Sequence, residues 1–446
     1  MRRVTLTRAA VQHRKGGKLP RVTTTTHPNH TAAPTSVSEF LDQFPRVDTY
    51  AEIDEILRSP DFVQGSHFES KPVFGGSLVV IDGPEHRQRR KMLMGMFSHA
   101  ALRRNEKEIL APAIRHAFEA LAATRGADGL VRVDLVPLLR SLTIVISAHV
   151  TGVDGAEEPA RRARLQALVS KLEAASGVEW STRDHTEVMA EGVAARRELI
   201  RDFLQPALDR RIALAARVKA GELKESDLPM DLLGLLALHG EDGQGGEDAQ
   251  IWRECALFLV AGTQTTSHAL PHIVWHLDPW WAAHPEHRAR AQDIEFLRGA
   301  ANESLRLHQP VPALLRIAAR DTVLECNGRA FRQGERIALF FSAANRDATL
   351  YGEDVDQFNP LRPFSRKPPP WGLTFGSGAH TCIGRALVTG LSHRYDDADP
   401  THGTIVGVLQ ALYQAGAALD PDQTPRRNTD SYHDAFASMP IVLHQL

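Results

Sequence analysis

The sequence predicts a mainly α-helical fold with a small β region. Apolar residues recur at helical spacing through most of the chain, and segments rich in glycine or aspartate separate these periodic stretches. Strand-like segments are few and short by comparison. Because 43% of the 446 residues are hydrophobic, the chain has enough apolar side chains for a substantial core.

Eight segments carry the helical pattern: residues 36–58, 105–123, 135–151, 160–175, 186–219, 231–238, 248–275 and 296–307. Segment 248–275 is long and mostly apolar, as a buried central helix must be, and Pro271 is expected to kink it because proline offers no N–H. Loops are predicted at residues 62–76 and 240–246. Strand-like pieces occupy residues 78–81, 322–326 and 336–341.

The first 38 residues differ in composition from the rest of the chain. They contain seven Lys and Arg residues but no Asp or Glu, which predicts a disordered basic tail over residues 1–38 and a single domain over 39–446. The alternative is an organellar targeting peptide. Gly16, Gly17 and Pro20 would interrupt its amphipathic helix, so we favour the tail.

Charge and cysteine content exclude several classes of protein. A net charge of −2 provides no broad positive field for nucleic acid. The three cysteines lack any Cys-x-x-Cys pairing, so neither a disulfide framework nor a structural zinc site is indicated and a cytoplasmic location fits best. No apolar run reaches the length of about 18 residues that a membrane anchor needs.

The strongest chemical signal is the segment 375–384, Phe-Gly-Ser-Gly-Ala-His-Thr-Cys-Ile-Gly. Cys382 lies in a glycine-rich turn before a helix-like segment, where converging N–H groups and the positive end of a helix stabilise a thiolate. Gly376 and Gly384 permit the turn, and Phe375 shields the sulfur from water. We predict that Cys382 ligates a metal; the alternative is a buried structural cysteine.

This segment resembles the haem-binding signature of the cytochrome P450 family, Phe-Gly-x-Gly-x-His-x-Cys-x-Gly. The resemblance, which spans about residues 40–446, implies a triangular, mainly helical fold that encloses haem b, in a soluble protein of bacterial type. Cys382 would be the proximal iron ligand. One departure is Val388, where the family usually has alanine, and it affects helix packing rather than ligation.

A second motif, Ala-Gly-Thr-Gln-Thr-Thr at residues 261–266, lies inside the predicted central helix. It is similar to the oxygen-activating Ala-Gly-x-(Asp/Glu)-Thr-Thr motif of the family. Small Ala261 and Gly262 let dioxygen approach the backbone, and Thr265 can donate a hydrogen bond to it. The alternative is a threonine that bonds back to its own helix. Gln264 replaces an acid and cannot release a proton near neutral pH, which leaves room for chemistry other than hydroxylation.

A third pattern predicts a structural network. Glu303 and Arg306 are three residues apart and share a helix face, as in the Glu-x-x-Arg motif of the family. Arg362, in Phe-Asn-Pro-Leu-Arg, matches the third member. The resemblance implies a buried, charge-assisted cluster that fixes the loop leading to Cys382.

The resemblance also places cations around the haem propionates. His86 and Arg90 lie one helical turn apart in the segment 82–90, and Arg316 and His380 occupy the other propionate-binding positions of the family. The alternative for the segment 82–90 is a solvated basic helix.

Substrate contacts are likewise expected from the resemblance, at Phe74, Leu257, Val311, Leu314 and Leu315. The wholly apolar run 310–315 argues for a hydrophobic small-molecule substrate.

The implied activity is that of a haem-thiolate monooxygenase that oxidises such a molecule with dioxygen, in secondary metabolism or catabolism. Because the sequence has no dinucleotide fingerprint and no iron–sulfur cysteine set, a ferredoxin and a ferredoxin reductase would supply the electrons. The alternatives are a P450-type enzyme with non-hydroxylating chemistry (oxidative coupling, nitrene transfer or dehydration), a non-catalytic haem-binding sensor, and a cysteine hydrolase that uses Cys382 with His380.

Two further patterns are noted. His268, His272 and His276 repeat at every fourth residue and could ligate a metal, although we favour polar lining of the helix. Residues 392–403 insert a polar, acidic stretch after the ligand helix. We hypothesise that this insertion adjusts the choice of electron donor.

Overall fold

The computed structural model describes residues 41–239, 243, 246–363, 367–391 and 400–446. The predicted tail at 1–38, most of the loop at 240–246 and the part of the insertion at 392–399 lie outside the described residues.

Helices dominate the described chain, so the predicted mainly α fold with a small β region is confirmed. The helices are α1 Tyr50–Arg58, α2 Lys71–Phe74, α3 Gly83–Leu93, α4 His99–Arg104, α5 Ala111–Ala122, α6 Leu135–Thr151, α7 Pro159–Ser176, α8 His185–Leu199, α9 Gln205–Lys219, α10 Leu232–Leu238, α11 Gln250–Ala283, α12 Ile294–Leu307, α13 Phe341–Ala344, α14 Ala348–Tyr351, α15 Arg385–Thr389 and α16 Thr404–Gln414.

Two predicted helices contain a wider, π-helical turn. Residues Asn105–Leu110 precede α5 in this conformation, and Ile200–Leu204 joins α8 to α9. The segments 105–123 and 186–219 are therefore helical throughout, with one irregular turn each. The predicted loop at 62–76 holds a strand and the short helix α2.

The β region consists of short strands. These are β1 Arg46–Val47, β2 Phe62–Gln64, β3 Val131–Asp134, β4 Ala313–Ala318, β5 Thr322–Val323, β6 Ala330–Phe331, β7 Arg336–Phe340, β8 Ala417–Leu419, β9 Arg426–Arg427, β10 Phe436–Ser438 and β11 Pro440–Leu443. The largest sheet has the order β1-β7-β4-β2. In it, β4 pairs antiparallel with both β2 and β7.

The predicted strand at 78–81 is wrong. Val80 and Ile81 donate their N–H groups to the carbonyl of Ser77, and the N–H of Leu78 donates to the carboxylate of Glu254 on α11. Three of the four N–H groups in this apolar run are therefore bonded within a turn or to a buried side chain rather than to a neighbouring strand.

The central helix α11 is longer than predicted. It continues through Pro271 and Pro279 to Ala283, because the surrounding core buries most of its apolar residues on several sides. It packs closely along α6: a Cβ atom at Gly262 would lie 2.5 Å from Ser147 Oγ. Glycine at this position allows the two helices to approach.

Within the described ranges, no helix combines the length and the apolar character needed to cross a lipid bilayer.

Candidate functional site

The loop before α15 holds Cys382 through its backbone. The N–H of Cys382 donates to the carbonyl of Phe375 at 2.8 Å. Gly376 and Gly378 both have φ of +66°, and a Cβ atom at Gly378 would overlap the carbonyl of Leu57 on α1. The loop therefore requires glycine at position 376 because of the backbone angle. At position 378 it requires glycine because of both the backbone angle and the close contact with α1.

The thiol of Cys382 faces an open cavity, with protein around its other sides. Burial raises its pKa above the usual value, while the N–H of Gly384 and the charge of Arg90 oppose that rise. The following helix, α15, contains only five residues and ends at Gly390. A bound metal ion deprotonates a coordinating thiol. A cation in the cavity would therefore add to the stabilisation of the Cys382 thiolate that the N–H groups of the turn provide.

The predicted structural network is a buried cluster in the structure. Arg306 donates to both carboxylate oxygens of Glu303 at 2.7 and 2.8 Å, and Arg362 Nε donates to Glu303 Oε1 at 2.9 Å. The Glu303 and Arg306 side chains are 0% exposed. The remaining guanidinium donors meet backbone carbonyls, including those of Asn345 and Tyr351, and Arg362 also donates to Asp354 Oδ1 at 2.6 Å. All three charges therefore have partners.

Sequence reasoning missed Asn345, which connects this network to the cysteine loop. Its backbone carbonyl accepts from Arg306 at 2.8 Å, and its side-chain Oδ1 accepts from the N–H of Leu373 at 2.7 Å. Asn345 is completely buried. A single asparagine just after a short helix gives no pattern from which this contact could have been found.

Helix α11 forms part of the wall of this cavity. Ala261, Gly262 and Thr265 line the cavity there, and Leu257 lies one turn earlier on the same face. Thr265 Oγ1 donates to the carbonyl of Ala261 at 2.8 Å. The threonine therefore bonds back to its own helix, as in the alternative interpretation of the motif. The hydroxyl oxygen still has lone pairs available on the cavity side.

Three predicted site residues do not line this cavity in the described part of the chain: Gln264, Phe74 and Leu315. Leu314 and Arg316 face the cavity, whereas Leu315 between them packs on Ala338 and Phe340, because successive side chains of a strand point to opposite faces. Phe74 lies in the main helical core.

Basic side chains gather at one edge of the cavity, which we call the cationic edge after its two arginines. His86, Arg90, Arg316 and His380 all line it, and the rings of His86 and His380 are 4.0 Å apart. Burial and the charges of His380 and Arg90 lower the pKa of His86 to about 4, and burial lowers that of Arg316 to about 10.

This edge is suited to an anion. His86 Nε2 is buried and has no hydrogen-bond partner. The buried charge of Arg316 and the unpartnered nitrogen of His86 would both be satisfied by a negatively charged ligand, as the carboxylates of a haem would provide. The residues present therefore fit the group that the sequence predicts.

The histidines of α11 form a packed cluster. The ligand atoms of His272, His308 and Asp434 lie within 4.8 Å of one another, but the rings of His272 and His308 stack 4.6 Å apart at 17°. Two nearly parallel rings cannot both direct a lone pair at one ion. His276 Nδ1 lies 3.0 Å from Ser304 Oγ, which is consistent with a polar role.

Comparison with known proteins defines the family. The sequence model of the cytochrome P450 family matches residues 49–389. The chain therefore belongs to this family, and membership implies a haem cofactor.

Individual relatives are more distant. A steroid C26-monooxygenase of Mycolicibacterium smegmatis is 34% identical over 161 residues, which cover 35% of this chain and only 36% of that protein. A putative cytochrome P450, YjiB of Bacillus subtilis, is 24% identical over 358 residues, or 80% of each chain. The crystal structure of CalO2 superposes with a TM-score of 0.66 over 90% of each chain at 21% identity, which shows a common fold.

Proposed function

We propose that this protein is a haem-thiolate monooxygenase that oxidises a mainly apolar small molecule. The observation that carries the proposal is the cavity itself, which is lined both by Cys382 and by Ala261, Gly262 and Thr265 of α11. The bound haem would supply the oxidising chemistry with dioxygen and electrons.

Each group of residues has a distinct part in this proposal. Cys382 holds the iron, Phe375, Gly376 and Gly384 shape the turn around the sulfur, and the cationic edge binds the haem carboxylates. The Glu303 network keeps the cysteine loop in place. The cofactor would be haem b.

The biological setting is also a proposal. We infer electron delivery by a ferredoxin and its reductase, a cytoplasmic location, and a role in secondary metabolism or catabolism. The cysteines support the location, because all three are free thiols, one of them exposed on the surface away from the cavity.

The proposed substrate is apolar because the distal wall is apolar. Leu257, Phe258, Val311 and Leu314 line it, and Pro310 adds a rigid apolar edge. Titration of the haem-loaded protein with a panel of small molecules tests this point, since displacement of iron-bound water changes the absorption spectrum. We expect apolar ligands to produce the change; a response to highly charged ligands alone would contradict the proposal.

Replacing Thr265 by alanine should reduce product formation by about 100-fold, the lower end of the range for a positioned proton donor. Electron consumption should continue, with peroxide as the product, because Thr265 would no longer supply a hydroxyl to dioxygen bound in the cavity. Thr263→Ala is the matched control, since Thr263 lies on the same helix but donates to Ser147 Oγ at 3.2 Å. Equal peroxide yields from the two variants would contradict this role.

Gln264 supports the second candidate, a P450-type enzyme with non-hydroxylating chemistry. Its side chain lies off the cavity wall, and an amide does not donate protons at neutral pH. Incorporation of label from ¹⁸O-dioxygen into the product distinguishes the two candidates. We expect incorporation by the wild-type protein; a product free of label would favour the second candidate.

A further inference from the structure

Three side chains bring their ligand atoms together at the C-terminal end of α11. His284 follows the last residue of the helix, and Glu286 and His287 lie in the 3₁₀ turn Pro285–Arg290 that comes next. His284 Nδ1 lies 3.5 Å from Glu286 Oε1, and His287 Nε2 lies 4.0 Å from the same oxygen. All three ligand atoms lie within 4.8 Å of one another. Each imidazole therefore has a nitrogen close to one carboxylate oxygen.

This spacing suits a divalent transition-metal ion. Zinc binds histidine nitrogen and carboxylate oxygen at about 2.0–2.2 Å, so two ligand atoms of a tetrahedral site are roughly 3.3 Å apart. The separations from Glu286 to the two histidines are slightly larger, and a small rotation of the exposed Glu286 side chain would close them. Two imidazoles and a carboxylate hold zinc in several enzymes, and imidazole also suits copper and nickel.

Packing holds both imidazoles in place. The ring of Trp280 lies 4.0 Å from that of His284 and 6.0 Å from that of His287. The His287 ring also lies 6.2 Å from Phe296 on α12. The N–H of His284 donates to the carbonyl of Trp280 at 2.8 Å, and the N–H of His287 donates to that of His284 at 3.0 Å. A metal ion would therefore meet two ligands whose conformational freedom is already reduced.

The arrangement differs from the histidine cluster on α11. There the rings of His272 and His308 stack 4.6 Å apart at 17°. The rings of His284 and His287 are 5.7 Å apart and inclined by 28°, and a nitrogen of each lies within 4.0 Å of Glu286 Oε1. These two nitrogens can therefore converge on one ion.

The charges around the three ligands favour a cation. Helix α11 has 34 residues, and the C-terminal end of a helix carries a partial negative charge. The carboxylate of Glu286 adds a full negative charge at neutral pH. Two arginines in the same turn have other partners: Arg288 lies over the Trp281 ring at 4.4 Å, and Arg290 pairs with Asp293 at 2.9 Å.

We propose that His284, Glu286 and His287 form a site for a divalent transition-metal ion, with zinc as the best match. Water would supply the fourth ligand, because the Glu286 side chain is 64% exposed and that of His284 is 40% exposed. The ion would cross-link the end of α11 to the turn that leads into α12, the helix that carries Glu303. It would stabilise the fold, and its binding does not depend on the proposed oxidation.

Zinc titration of the haem-loaded full chain by isothermal calorimetry tests the site. We expect one equivalent to bind with an affinity that His284→Ala and Glu286→Gln each weaken by about tenfold or more, since even a supporting residue of a metal site contributes that much. Glu286→Gln keeps the size of an exposed side chain and should leave the fold intact. Magnesium should not compete, because it prefers oxygen ligands.

His185→Ala is the matched control. His185 pairs with Glu69 at 2.7 Å on the surface, so it offers the same imidazole–carboxylate contact but with a single histidine. Zinc affinity should be unchanged in this variant. An equal loss of affinity in His185→Ala, or no loss in both His284→Ala and Glu286→Gln, would overturn the inference.

X-ray absorption at the zinc edge identifies the ligands directly, without interference from the haem iron. We expect two imidazole nitrogens and a carboxylate oxygen at about 2.0–2.2 Å. Zinc should also raise the melting temperature of the wild-type protein more than that of Glu286→Gln, because an ion that binds only the folded state stabilises it. A spectrum without imidazole ligands would contradict the assignment.

Discussion

Replacement of Cys382 by alanine is expected to abolish both product formation and the absorption band of sulfur-anion ligation in the reduced carbon monoxide complex. Cys382 lines the same cavity as Thr265, and among the described residues no other cysteine lines it. Without the thiolate, iron loses the ligand that donates electron density and favours O–O cleavage. The measurement is a difference spectrum of the reduced protein with and without carbon monoxide.

Cys326→Ala is the matched control for this substitution. Cys326 is a free, exposed thiol whose N–H donates to Glu55 on α1. Its loss should leave both the band and the activity unchanged. If the Cys382→Ala variant kept the sulfur band, another residue would be the ligand and the assignment of the whole site would be incorrect.

The long helices were predictable because local signals mark their ends. Helix α6 has the predicted bounds, Leu135–Thr151: the Asp134 side chain accepts from the N–H of Val136 at its start, and Gly152 adopts φ of +94° at its end. The central helix lacks such a signal at its C-terminus. Pro271, which was expected to kink the helix, and Pro279 both lie inside it, and the helix continues to Ala283 because tertiary packing overrides their low helix propensity.

The cavity was less predictable than the helices. Sequence motifs identify Cys382 and Thr265. They do not tell which of two neighbouring strand residues faces the cavity, because that depends on the register of the strand. Leu315, which was predicted to contact substrate, lies on the face of its strand that points away from the cavity. Asn345 acts through contacts between segments far apart in the chain. Single residues with distant partners carry no periodicity, so only the folded structure shows them.

Glu303→Gln should be strongly destabilising, because it leaves Arg306 buried without its carboxylate partner and leaves Arg362 with Asp354 alone. Removing one partner of a buried ion pair costs about 3–5 kcal/mol in the free energy of unfolding. The measurement is urea unfolding of the haem-loaded protein, together with its haem content after dialysis. We expect haem to be lost, because the network supports the loop through Asn345.

Helix α12, which carries Glu303, also offers a matched control, Glu295→Gln. Glu295 pairs with Arg298 at the same three-residue spacing, but the Glu295 side chain is 54% exposed. Solvent screens such a pair, and its loss should cost less than about 1 kcal/mol. The contrast isolates burial as the cause, since residue type, spacing and helix are shared. Equal losses of stability in the two variants would show that the Glu303 network does not support the cysteine loop.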